Sequence, residues 1–201
     1  MSVKIVENPL RMRFGDADRD VADLRMDAST HSIQTMSYEH HEIHSGSHYF
    51  VVGYQDIPQA GDVLDFTWLI PDSPKEIHWI WNIEVDSEIL WQVYEGAVAS
   101  NPLANAVTPL NSNRNSPKTS ATTMKFEIQA DLATANADTN VTTATLVESG
   151  KVGDGKQSGG NIGRSNELIM KRNTLYCLRA TATAAGYITF NMQWYEHTPK
   201  S

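Results

Sequence analysis

From His48 onward, apolar and polar side chains alternate with a period of two, the signature of strands half buried against a core. Residues 48–54 form a β-rich run, and in 63–70 Leu64, Phe66, Trp68 and Ile70 share one face. In 76–85, Ile77, Trp79, Trp81, Ile83 and Val85 oppose Glu76, His78, Asn82 and Glu84. The pair Asp86–Ser87 predicts a tight turn into 88–94, where Ile89, Trp91 and Val93 alternate. Met124, Phe126 and Ile128 alternate with Lys125, Glu127 and Gln129, and a further strand is expected over 141–147. Two strands close the chain: 167–181, broken near Asn173, and 187–196, with Ile188, Phe190, Met192 and Trp194 on one face. About eight short strands and no amphipathic helix predict an all-β chain. The expected fold is an antiparallel β-sandwich of jelly-roll-like form. All five tryptophans fall on alternating strand faces, where aromatic bulk fills the space between two sheets.

The interruptions are as informative as the strands. Residues 101–122 break all periodicity and are rich in Asn, Pro, Ser and Thr, predicting a long loop of the kind that tends to carry contacts. A polar loop is expected over 131–140, and the glycine-rich run 149–164 reads as a loop with several positive φ angles. Residues 1–45 hold few large apolar side chains. In them Arg11, Arg13, Arg19 and Arg25 stand among Asp16, Asp18, Asp20, Asp23 and Asp27. Such a stretch buries little by itself. The expected organisation is an extended N-terminal arm over 1–45, with a short helix around Asp20 to Met26, and a sandwich over 46–201.

Composition narrows the function. The 201-residue chain has a net charge of −8 and no Lys/Arg cluster, so direct binding to nucleic acid is not expected. Cys177 is the only cysteine, which excludes an internal disulfide and multi-cysteine metal patterns. It falls in an apolar run and reads as a small buried hydrophobe. No apolar leader segment and no run of 18 apolar residues occur, so neither secretion nor a transmembrane helix is expected, and the chain reads as made in the cytoplasm.

No motif predicts chemistry. His40 and His44 have the i, i+4 spacing of a zincin, but His41 stands where the general-base Glu belongs. With His48 and Glu42 this cluster reads as polar strand-edge histidines, not a metal site. Gly150 to Lys156 approaches a P-loop, yet Gln157 replaces the Ser or Thr that holds Mg²⁺ and no helix follows. Asp16, Asp18 and Asp20 mimic the start of an EF-hand loop, but Val21 and Asp27 occupy the positions of its Gly and bidentate Glu. No spacing singles out a carboxylate pair for glycoside hydrolysis, and Asn140-Val-Thr is a short sequon of the kind that arises by chance. Catalytic residues, cofactors and bound metals are therefore not expected.

Several segments are distinctive in their order: Asn113-Arg-Asn-Ser in the long loop, the glycine run ending GGNIGR, NELIMKRNTLYCLRATATAAG, and MQWYEHT near the end. Over residues 41–197 this order resembles a family of tailed-bacteriophage virion proteins of the capsid decoration, or cement, class. The first forty residues are not covered. The resemblance implies a non-enzymatic β-sandwich that binds the major capsid protein on the outside of the virion and reinforces the shell. It also implies a homo-oligomer, with a trimer as the expectation; no membrane partner is expected, since no long apolar run occurs. Arg114 and Arg164, with the arm arginines Arg11, Arg13, Arg19 and Arg25, are the candidate capsid contacts. The alternative is a tail, baseplate or head-fibre protein whose sandwich binds a host glycan; the inward-facing tryptophans argue against a sugar platform.

Overall fold

The computed structural model describes residues 38–99, 106–129, 139–153, 158–161 and 167–198. The chain divides into two units, Met1–His40 and His41–Ser201. The arm arginines, Asp16 to Asp20, the helix expected near Asp20 and Arg164 lie outside the described residues.

The second unit is an all-β sandwich. One sheet has the order β11 (Ser158–Asn161), β3 (Glu76–Val85), β14 (Gly186–His197), β1 (His48–Ile57), β7 (Leu110–Asn111), and β12 (Leu168–Ile169) also pairs with β3. The other runs β10 (Thr145–Val152), β4 (Ile89–Glu95), β13 (Thr174–Ala182), β2 (Val63–Ile70), β8 (Thr123–Gln129), β6 (Ala106–Val107). A short ladder joins β5 (Val98–Ala99) to β9 (Thr139–Asn140). Every pairing among the described residues is antiparallel.

Taking β1, β2, β3, β4, β10, β11, β13 and β14 as eight principal strands, the first sheet holds the first, eighth, third and sixth. The second holds the second, seventh, fourth and fifth, with β8 added at its edge. Nearly every connection therefore crosses the core. The Asp86–Ser87 turn is one of these: it carries the chain from β3 in one sheet to β4 in the other, so it closes no hairpin. Asp86 holds that corner by accepting the Tyr187 backbone N–H at 2.6 Å.

The inner faces meet in a layer of aromatic rings. Tyr176 stacks on Trp68 (5.8 Å), Trp68 on Trp79 across the sheet interface (4.7 Å, 7°), and Trp79 on Trp194 (4.7 Å, 11°). Trp194 then meets Tyr49 at 6.0 Å, so one row of rings crosses from the second sheet to the far side of the first. All five tryptophans are buried, as their alternation predicts. Near-parallel stacking adds about 0.5–1.5 kcal/mol per pair to the gain from burial. It offsets a cost: the indole N–H groups of Trp68, Trp79 and Trp81 are buried without an acceptor among the described residues.

Three expectations need correction. Residues 38–45 form a helix, α1 (Tyr38–Ser45), where an extended arm with strand-edge histidines was expected. Gly46 ends it in the left-handed region (φ 73°): its N–H reaches Ile43 O at 3.1 Å and Ser47 N–H reaches Glu42 O at 2.9 Å, a Schellman cap. The glycine run is not one loop, since residues 149–152 belong to β10 and 158–161 form β11. Gly150 is required there by contact, because a Cβ would lie 2.6 Å from the Trp91 indole. The strand expected over 141–147 begins at Thr145, after a turn closed by Ala144 N–H on Val141 O, and carries a bulge between Leu146 and Glu148. The break near Asn173 is observed: Asn173 takes φ 50° in the turn between β12 and β13.

Candidate functional site

The outer faces of the two sheets carry the polar groups that the core excludes. On the second sheet, Asp65 of β2 and Arg179 of β13 are register partners. Arg179 grips the carboxylate with two bonds, Nε to Oδ1 at 2.8 Å and Nη2 to Oδ2 at 2.7 Å, and donates to Thr139 O at 3.0 Å. Both residues are buried, and the Asp65 bonds hold the guanidinium pKa above its ordinary value. Cys177, on the same face of β13, is also fully buried, in keeping with a structural thiol.

The segment after β7 is an ordered strap laid over one end of the aromatic row. Tyr49 Oη donates to Thr119 O (3.2 Å), and Trp194 Nε1 donates to Ser120 Oγ (3.2 Å). The buried carboxylate of Glu196 accepts Ser120 Oγ at 2.6 Å and Ala121 N at 3.1 Å, and Lys75 Nζ stands 3.5 Å away. Burial, with the Glu196 charge, pushes the Tyr49 phenol up to about 12. Within the strap, the Asn113-Arg-Asn-Ser segment is a chain of self-capped turns, with Asn111 Oδ1 accepting Asn113 N and Asn113 O accepting Ser116 N, each at 2.9 Å. Arg114 is exposed, and its Nη1 donates to Asn111 O at 3.3 Å.

The histidines expected at a strand edge fall instead on two elements, a helix and a strand. His40, His41 and His44 are exposed on α1, whereas His48 is buried in β1 with Nδ1 paired to Ser112 Oγ at 2.6 Å. Burial lowers the His48 pKa, and the charge of Glu42 partly offsets that. The reason is the helix: Gly46 turns the chain between His44 and His48, placing them on different elements.

The group that does converge lies on the outer face of the first sheet, at the C-terminal end of β14. The register sets His197 opposite Glu76 and Tyr195 opposite His78, so two cross-strand pairs form a four-residue patch. His78 and His197 bring their Nε2 atoms to 2.7 Å, and Glu76 Oε2 lies 4.0 Å and 3.9 Å from them. Glu167, just before β12, accepts His78 Nδ1–H, and Tyr195 Oη donates to the same carboxylate oxygen at 2.5 Å. The His78 ring stacks on Tyr195 at 4.5 Å and 12°. Among the described residues, Glu76, His78 and His197 are the one group of three ligand-type side chains whose donor atoms lie within 4.8 Å of one another.

Further along the same face the surface turns apolar. Val52 and Tyr54 of β1 are 60% and 59% exposed, and Tyr54 stacks on the exposed Tyr187 ring at 5.3 Å. Sequence reasoning missed both features. The signal was present: Glu76 and His78, and Tyr195 and His197, are i, i+2 pairs on the polar faces of strands that were otherwise read correctly. The chain matches no family model, no curated protein and no solved structure.

Proposed function

We propose that the chain is a structural virion protein of the cement class, a jelly-roll sandwich that binds the outside of a phage capsid and adds buried contact between its subunits. The strand order supports the jelly-roll form, with first, eighth, third and sixth strands in one sheet and second, seventh, fourth and fifth in the other. The observation that carries the assembly role is the strip of Val52, Tyr54 and Tyr187. These apolar side chains are held in water on a sheet whose inner face is locked by stacked tryptophans. A rigid, pre-formed apolar strip loses little entropy when a partner covers it. The segments that carry the family resemblance act in this reading as framework: Asn113 to Ser116 build the strap, while Trp194 and Glu196 tie it down. The charged arm, with Arg11, Arg13, Arg19 and Arg25, suits a segment that orders on the shell, and self-association as a trimer multiplies weak contacts.

The Tyr54–Tyr187 pair favours a second reading, since two exposed stacked rings also suit a host glycan at the tail or on a head fibre. Cryo-electron microscopy of the assembled particle separates the two. The cement reading expects density for this chain repeated over the head surface at symmetry-related positions, with the strip facing a subunit. Density confined to the tail overturns it.

A further inference from the structure

We propose that Glu76, His78 and His197 form a binding site for a divalent transition-metal ion of the zinc class, with Glu167 and Tyr195 as its supporting groups. The proposal does not rest on the capsid reading.

The outer nitrogens of the two rings are the first donors of the site. His78 Nδ1 faces the Glu167 carboxylate, which also accepts the Tyr195 hydroxyl, so Nδ1 carries the proton. His197 Nδ1 faces the carbonyl oxygen of Thr198 at 3.2 Å, which likewise can only accept. Each neutral ring is thereby fixed in the tautomer whose Nε2 is a bare lone pair. Those two lone pairs point at each other across 2.7 Å, with the Glu76 carboxylate beside them. Three electron-pair donors turned toward one point repel unless a cation joins them. A proton shared between the rings can do so, and so can a metal ion.

The surroundings favour the metal. A carboxylate on the far nitrogen of a ligand histidine is the arrangement that orients metal-bound imidazoles and raises their basicity. The Tyr195 ring, stacked flat on His78, fixes the imidazole plane. Two imidazoles and one carboxylate suit zinc-class ions and disfavour Mg²⁺ and Ca²⁺, which take oxygen ligands. At Zn–N distances of about 2.0–2.1 Å a tetrahedral ion spaces its ligand atoms about 3.3 Å apart. The rings must therefore part slightly from 2.7 Å, and Glu76 must close in from 4.0 Å and 3.9 Å. Rotation of the part-exposed Glu76 side chain, 34% exposed, supplies the larger of these shifts. The site is open on its solvent side, leaving a fourth position for water or for a group on a partner. Because the ligands come from β3 and β14, and Glu167 leads into β12, a bound ion ties three strands together at this end of the sheet.

The test uses the full-length chain, stripped with a chelator and dialysed, then titrated with Zn²⁺ by calorimetry and with Co²⁺ by visible absorption. One Zn²⁺ per chain at micromolar concentration, and a tetrahedral Co²⁺ spectrum, are expected. His78→Ala and His197→Ala each abolish this uptake, while replacing His40, His41 and His44 together with Ala leaves it intact. Glu167→Gln keeps the stoichiometry but weakens binding about 10–100-fold, the signature of a group acting through His78. Glu76→Gln, at a partly exposed position that folding tolerates, carries the test if a histidine variant does not fold, and it too must weaken uptake. Absence of Zn²⁺ uptake by the wild-type chain overturns the proposal. So does uptake that survives loss of His78 and His197 but disappears with the α1 histidines.

Discussion

Two cross-strand polar groups sit on the outer faces of the two sheets, and they have opposite fates. Asp65 and Arg179 are roofed over: the guanidinium grips the carboxylate with two bonds and is closed by Thr139 O. Glu76, His78 and His197 are left partly open, and their donor atoms converge on a point at the surface, with Tyr195 buried against His78. The same device, residues brought opposite one another by antiparallel register, yields an internal clamp where it is covered and a site where it is not. In the covered pair, every charge is matched with two short bonds, so nothing remains to offer a ligand. In the open group, Glu167 and Thr198 take up the inner nitrogens and leave the outer ones presented.

The largest expected effect comes from breaking the closed pair. Asp65→Ala leaves a buried guanidinium uncompensated and should cost about 3–5 kcal/mol in urea unfolding; a loss below 1 kcal/mol would show that water reaches Arg179. Next is Gly150→Ala on the second sheet, where the added methyl meets the Trp91 indole. Overpacking of that kind costs about 1–3 kcal/mol, and an unchanged urea midpoint would mean the edge strand yields.

A smaller effect concerns His48, buried near the open group's end of the first sheet. Its pKa is lowered by burial, so the folded chain binds fewer protons than the unfolded one. The stability it contributes is complete above the ordinary value of 6.5 and is lost as pH falls from there through the depressed folded value. His48→Gln should therefore lose less stability than wild type between pH 7.5 and pH 5, and equal losses would dismiss His48 as a source of acid sensitivity. Smallest of all, His78→Ala in metal-free protein should cost only about 1 kcal/mol, because its hydrogen bond to Glu167 is partly solvated.

The legible part of the fold was the part with a side-chain rhythm. Strands β2 and β3 were read to the residue, since Leu64 to Ile70 and Ile77 to Val85 alternate without interruption. Strand β11 was not, because glycines carry no pattern of burial. Helix α1 was invisible because it is short and polar, and its stop signal is a single capping glycine. The candidate site was legible only in halves. Its members lie at 76–78, at 167 and at 195–197, and nothing local reveals that β14 returns to lie beside β3 in the register that sets His197 against Glu76. The WYEH segment was read for its resemblance, while its tyrosine and histidine faced the other way, toward the site.

The contrast between the closed and the open group is tested most directly by the unfolding free energy of wild type and His78→Ala, with and without excess Zn²⁺. Ligand at 100 times its dissociation constant stabilises a folded chain by about 2.7 kcal/mol. The wild type should gain that amount, Asp65→Ala should gain it too from its lower baseline, and His78→Ala should gain nothing. An equal response to Zn²⁺ in wild type and His78→Ala would contradict the account.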